Sequence, residues 1–136
     1  MHKETITYKD YNGLERKEDF YFNLTHAELT EMELGVVGGF TELVQKIIDT
    51  QDGPQLVKTF KEIVLKSYGE KSADGKRFVK SDEIATAFAQ TEAYSQLFMA
   101  LATDADRAAK FVNGIVPSDV SKGVAAQAAQ TLPTTN

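Results

Sequence analysis

The tightest constraint on the fold is the alternation of polar and apolar residues on either side of Asn12-Gly13 in TITYKDYNGLERKEDFYFNL. Alternation with period two marks strands, and Asn-Gly between two such runs marks a hairpin turn. A two-residue loop would pair Tyr11 with Leu14 and set Ile6 and Tyr8 on the face opposite Phe20 and Phe22. A three-residue loop pairs Asp10 with Leu14 instead, through a type I turn over Asp10 to Gly13 with a left-handed glycine. Ile6, Tyr8, Leu14, Phe20, Phe22 and Leu24 then share one face, and Thr5, Thr7, Lys9, Glu15, Lys17 and Asp19 share the other. A one-residue slip flips every side chain, so the hydrophobic pattern favours the bulged, three-residue register. A lone hairpin is marginal in water, so its apolar face must be covered by the chain's own helices or by a neighbouring subunit. Ile6, Tyr8, Phe20 and Phe22 are therefore candidate partner or subunit contacts. Tyr21, on the polar face, is a candidate surface contact.

Helical periodicity takes over after the hairpin. Thr25 followed by Glu28 forms a capping box, which starts a helix through Leu29, Met32 and Val36 until Gly38-Gly39 interrupts it. A second apolar stripe runs through Phe40, Leu43, Val44, Ile47 and Ile48. Pro54 opens a third helix through Leu56, Phe60, Ile63 and Val64, with Gly69 as its stop. The segment GEKSADGKRFVKSDE reads as a polar loop of about a dozen residues, with a short extended piece at Phe78-Val79. Ser81 caps a further helix through Ile84 and Phe88, and Tyr94, Leu97, Phe98 and Leu101 continue the stripe after a break at Thr91. Thr103 or Asp104 caps the last helix, through Ala105, Ala108, Ala109 and Val112, with Gly114 as its stop. The expected class is α+β, mostly α: an N-terminal β-hairpin over residues 5–24 followed by about five helices within residues 25–116. Residues 1–117 read as a single domain. The small and polar residues 118–136 read as a mobile tail, with a weak helix at Val124 to Gln130.

Composition narrows the function. A chain of 136 residues, 42% hydrophobic and 26% charged, has the totals of a globular protein able to bury its own core. A net charge of −5 with pI near 5.0 argues against nucleic acid, whose phosphates need clustered Lys and Arg. The absence of cysteine rules out a disulfide scaffold, a thiolate metal site and a cysteine nucleophile, and fits the cytosol. The N-terminus lacks the apolar core of a signal peptide, and no apolar run approaches the roughly 20 residues that span a bilayer. The expected partner is another protein, with neither nucleic acid nor membrane involved.

Each chemical motif has a more ordinary explanation. Placing Gly75 sixth in a calcium loop sets Glu70, Ser72 and Asp74 at ligand positions. The twelfth position is then Ser81 in place of a bidentate Glu, and the eighth is Arg77 in place of an aliphatic residue. A solvated Asp-Gly turn fits better. His2 is expected on a frayed terminus and His26 at the exposed first position of a helix, which leaves no usable catalytic histidine. Glu28, Glu31 and Glu33, like Asp104 and Asp106, lie near helix N-termini, where carboxylates favour the dipole. ELGVVGGFTEL has no Walker lysine and follows a helix. Lys71, Lys76, Arg77 and Lys80 are interspersed with Glu70, Asp74, Asp82 and Glu83. No catalytic, cofactor or metal set emerges, and an enzyme is not expected.

Three stretches carry a resemblance: ITYKDYNGLERKEDFYFNLTHAELTEMEL, FKEIVLKSYGEKSADGKRFVKSDE and TEAYSQLFMALATDADRAAKFVNGIVP. Together the chain resembles tail assembly chaperones of long-tailed, siphovirus-type bacteriophages and prophages of Gram-positive bacteria, over most of Thr5 to Pro117. The resemblance implies a non-enzymatic protein of the host cell cytoplasm. Such a protein binds the long, aggregation-prone tape measure protein and keeps it competent while tail tube subunits polymerise around it. It also implies possible contact with the tail tube protein and self-association. The alternative is a structural subunit of the tail or head-tail junction, retained in the virion.

Overall fold

A computed structural model describes residues 1–31 and 53–119 of the chain. The expected helix continuing through Met32 and Val36, the Gly38-Gly39 break, the stripe from Phe40 to Ile48 and the weak helix at Val124 to Gln130 lie outside the described residues.

The bulged register is the one adopted. Strands β1 (His2–Lys9) and β2 (Glu15–Phe22) pair antiparallel, with Lys9 opposite Glu15, Ile6 opposite Glu18 and His2 opposite Phe22. The turn is held from Asp10: its carbonyl accepts the Gly13 N–H at 2.9 Å, and its own N–H donates to the Leu14 carbonyl at 2.9 Å. The Asp10 carboxylate accepts from the N–H groups of Asn12 and Leu14 at 2.9 and 3.0 Å. Gly13 has φ +81°, a conformation that costs glycine little and other residues much. Asp10 also receives Arg16 Nε at 2.6 Å.

After β2 the backbone closes the ends of two helices. The Asn23 N–H donates to the Ser67 carbonyl at 2.8 Å and the Leu24 N–H to the Ile115 carbonyl at 2.6 Å, satisfying acceptors that helix C-termini leave without an intrahelical partner. The capping box forms as the sequence implies. Thr25 N–H donates to Glu28 Oε1 at 2.9 Å, Glu28 N–H donates to Thr25 Oγ1 at 3.2 Å, and α1 spans His26–Glu31.

The helix opened by Gly53-Pro54, α2 (Gly53–Ser67), buries Phe60, Ile63, Val64 and Ser67 on one side. Its continuation corrects the sequence reading. The polar segment expected as a loop is a second hairpin, β3 (Tyr68–Lys71) and β4 (Phe78–Val79), with Lys71 opposite Phe78. Because Tyr21 pairs with Gly69 and Phe22 with Tyr68, this hairpin extends the first into a four-stranded antiparallel sheet in the order β1-β2-β3-β4. Gly69 is no helix stop. A Cβ there would lie 2.8 Å from Phe78 Cε2 and 2.8 Å from the Val79 carbonyl oxygen, so the glycine admits the aromatic ring of the neighbouring strand.

Three helices complete the described residues: α3 (Asp82–Ala89), α4 (Glu92–Thr103) and α5 (Ala105–Ile115). Their caps fall where hydroxyls and carboxylates stand in the sequence. Ser81 accepts from Ile84 N–H, Thr91 from Tyr94 N–H, and Asp104, rather than Thr103, from Arg107 N–H. Gly114 does not stop α5, which continues to Ile115. A Cβ on Gly114 would fall 2.7 Å from His2 Nδ1, so this glycine lets α5 approach the start of β1.

One core joins the sheet to the helices. Ile6, Tyr8, Phe22 and Leu24 contribute from the hairpin and its exit, Phe60 and Val64 from α2, Leu97 and Leu101 from α4, and Phe111 and Ile115 from α5. Phe88 is central, its ring stacked on Tyr68 at 4.1 Å and close to Phe20 and Phe22 at 5.2 and 5.8 Å. Among the described residues the fold is mixed α and β, with five helices and one antiparallel sheet; the second hairpin is its departure from a hairpin followed only by helices.

Candidate partner-binding surfaces

The hairpin face is packed on the chain's own helices. Ile6 is 7% exposed and Phe22 0%, Tyr8 is buried, and Phe20 is partly buried against the same core. Leu14 shares that face by register but lies at the hairpin tip and is 59% exposed, beside Tyr11 at 78%. Tyr21, on the outer face, is half-buried, and Lys71 Nζ lies 4.1 Å above its ring, a cation–π contact.

The buried face also carries polar groups that alternation alone did not reveal. The Tyr8 hydroxyl donates to Glu18, and this bond, with burial, pushes the phenol up to about 12. His2 is not frayed. Its Nε2 sits 2.8 Å from Glu4 Oε1 and its ring meets Phe111 edge-on at 5.2 Å. Arg107 Nη2 donates to Glu4 Oε2 at 3.2 Å. Burial alone would raise the Glu4 carboxyl, but the bond and charge of His2 and the charge of Arg107 outweigh it and hold Glu4 below the usual range. The signal for this docking point was Gly114, whose missing side chain makes room for His2.

Several of the remaining sequence candidates have structural partners. Ser72 Oγ donates to Asp74 Oδ1 at 2.6 Å, which also accepts the Lys76 N–H at 3.0 Å, and Gly75 takes φ +74°. The Ser72 bond first, then the Lys76 bond, lowers the Asp74 carboxyl. The would-be calcium loop thus turns between two strands, where an EF-hand loop turns between two helices. Lys80 Nζ donates to the Asn23 carbonyl at 2.6 Å and to Glu28 Oε2 at 2.5 Å. Burial works against the charged form of Glu28, and the Lys80 bond, with that of Thr25, prevails and lowers it. His26 is exposed, 3.2 Å from Asp119. Glu31 and Asp106 are exposed, Asp104 caps α5, and Glu33 lies outside the described residues. Among the described residues no group of three or more His, Cys, Asp or Glu could hold a metal ion, and no helix is long and apolar enough to cross a membrane.

An open concavity lies on the helical side. A groove of about 770 Å³ runs between α2 and α3, lined by Lys61, Leu65, Lys66, Asp82, Ala85 and Ala89 among others. It shares Lys61 and Ala89 with an adjoining depression of about 330 Å³ closed by Tyr94, Ser95 and Phe98 of α4. The Tyr94 and Phe98 rings stack at 5.9 Å, nearly parallel. Both are only partly buried, and burial raises the Tyr94 phenol. This arrangement offers shape and apolar surface for binding, with no nucleophile–base pair.

A family model described as phage tail assembly chaperone matches residues 1–136. The chain belongs to the phage tail assembly chaperone family. The match takes in the segment after Pro117 as well as the stretches that carried the resemblance. Comparison with curated proteins and with solved structures found no significant match. For a tail assembly chaperone the surfaces that matter are those that bind protein. Among the described residues, apolar side chains are accessible at the hairpin tip and along the α2–α3–α4 groove, among other places.

Proposed function

We propose that this chaperone binds the tape measure protein of a long-tailed phage or prophage of a Gram-positive host, and keeps it soluble in the host cytoplasm while the tail tube polymerises. It acts by binding, without catalysis. The observation that carries this reading is the family match along the whole chain. The acidic composition and an open groove that shows Leu65, Ala85 and Ala89 among polar residues, with Tyr94 and Phe98 in the adjoining depression, support it, because a holding chaperone needs apolar contact surface on a highly soluble body. Co-expression with the tape measure gene of the same phage is the test. The reading expects soluble tape measure protein that co-purifies with this chain, and expects the chain to be missing from purified virions by peptide mass spectrometry. An insoluble, uncaptured tape measure protein contradicts it. Stoichiometric presence in virions would assign the chain to the tail structure instead.

A further inference from the structure

We infer that the α2–α3–α4 groove seats one amphipathic helix of the partner, with an apolar stripe on Leu65, Ala89 and Phe98 and acidic residues along the flank that faces α2. This rests on the chaperone reading above and adds the site and the chemistry of its occupant. The groove is built for side chains of a helix face. Its lining combines small residues, Ala85 and Ala89, with the partly buried Leu65, Tyr94 and Phe98, giving depth at the centre and aromatic surface at one end. Val57, 44% exposed, lies on α2 two turns before Leu65, with Lys61 between them.

Charge selects the flank. The net charge of the chain is −5, yet α2 carries Lys58, Lys61 and Lys66 against the single Glu62. All three lysines are exposed, and none forms an ion pair with a described residue, whereas Lys80 and Arg16 do. Lys61 and Lys66 lie on the groove itself together with Glu62, and Asp82 lies on the α3 side. With Lys58, Lys61 and Lys66 against Glu62, the α2 side is net positive and the α3 side, at Asp82, negative; this difference favours an acidic flank on α2 and disfavours a basic one, which biases the way round an amphipathic helix lies. A helix laid in an apolar groove is an established mode of protein recognition.

The test uses the full chain co-expressed with the tape measure gene, with a photo-crosslinking benzophenone amino acid placed at Ser95, Gln90 or, for comparison, Tyr11. Crosslinks from Ser95 and Gln90 to tape measure peptides with helical spacing of attachment sites are expected. A second arm pairs Lys61→Glu with Lys66→Glu. Capture should fall roughly tenfold while the circular dichroism spectrum is unchanged, and acid-to-Lys changes in the crosslinked partner segment should restore it. Crosslinks from Tyr11 alone, from Ser95 only to a second copy or to this same chain, or undiminished capture by the double variant would overturn the groove while leaving the chaperone reading intact. Failure of the unaltered chain to capture the tape measure protein would overturn both.

Discussion

The hairpin face and the α2–α3–α4 groove both present clustered aliphatic and aromatic side chains, but they end in opposite states. Phe22, at 0% exposure, is enclosed by rings of the same chain, with Phe111 at 5.2 Å and Phe88 at 5.8 Å. Tyr94 and Phe98 stack on each other at the rim of an open depression. The contrast teaches that a row of aromatics identifies surface needing cover, while the cover itself is decided by elements distant in sequence. Charge separates the two as well. On the hairpin face Glu4 is partnered by His2 of its own strand and by Arg107 of α5. The lysines beside the groove have no described counter-ion.

The strongest way to break this comparison is substitution at each place. Phe22→Ala removes a fully buried ring and should cost about 3–5 kcal/mol in urea unfolding. Ala89→Arg in the groove should change stability by no more than about 0.5 kcal/mol while reducing partner capture. Equal loss of stability at the two sites would erase the distinction. Next in size is Gly114→Ala, which forces a methyl group against His2 and should cost about 1–3 kcal/mol as overpacking does. In a His2→Ala background the clash disappears, so the same change should become neutral or stabilising. A cost that persists there would mean that His2 is not what α5 makes room for.

Lys80→Met leaves Glu28 partly buried without its cation and should cost about 1–2 kcal/mol. The accompanying pH dependence has a definite sign. In the folded state Glu4 and Glu28 are held below the ordinary glutamate pKa of 4.5. Their stabilising contribution is therefore fully present above about pH 4.5 and is lost as pH falls through the lowered folded values. Urea midpoints of the native chain should fall below that pH, and Lys80→Met should flatten the part due to Glu28. A midpoint that rises on acidification would contradict the assignment.

Local signals were legible in the sequence where one residue type settles one backbone problem. The alternation through Ile6, Tyr8, Phe20 and Phe22 chose the strand register that Asn12-Gly13 left open, Thr25 and Glu28 marked the start of α1, Ser81 that of α3, and Thr103 or Asp104 that of α5, while Thr91, read only as a break, proves to be the cap of α4. Strand β3 was not legible. Tyr68-Gly69-Glu70-Lys71 has one apolar side chain and no alternation, and becomes a strand because Tyr21 and Phe22 offer it an edge. Gly69 and Gly114 look like helix terminators in one dimension. Their purpose, space for Phe78 and His2, exists only after folding. The groove was illegible for a similar reason, since Leu65, Ala89 and Phe98 belong to three separate helical stripes whose shared opening arises from packing. The lysines of α2 could have been noticed as a cationic helix in an acidic chain.

Hydrogen exchange on the full chain, alone and in complex with co-expressed tape measure protein, tests most directly the claim that the hairpin serves the core and the groove serves the partner. Added protection is expected in residues 57–66 and 85–98, with none added in residues 2–22. Protection gained in the hairpin and absent from those two stretches would contradict it.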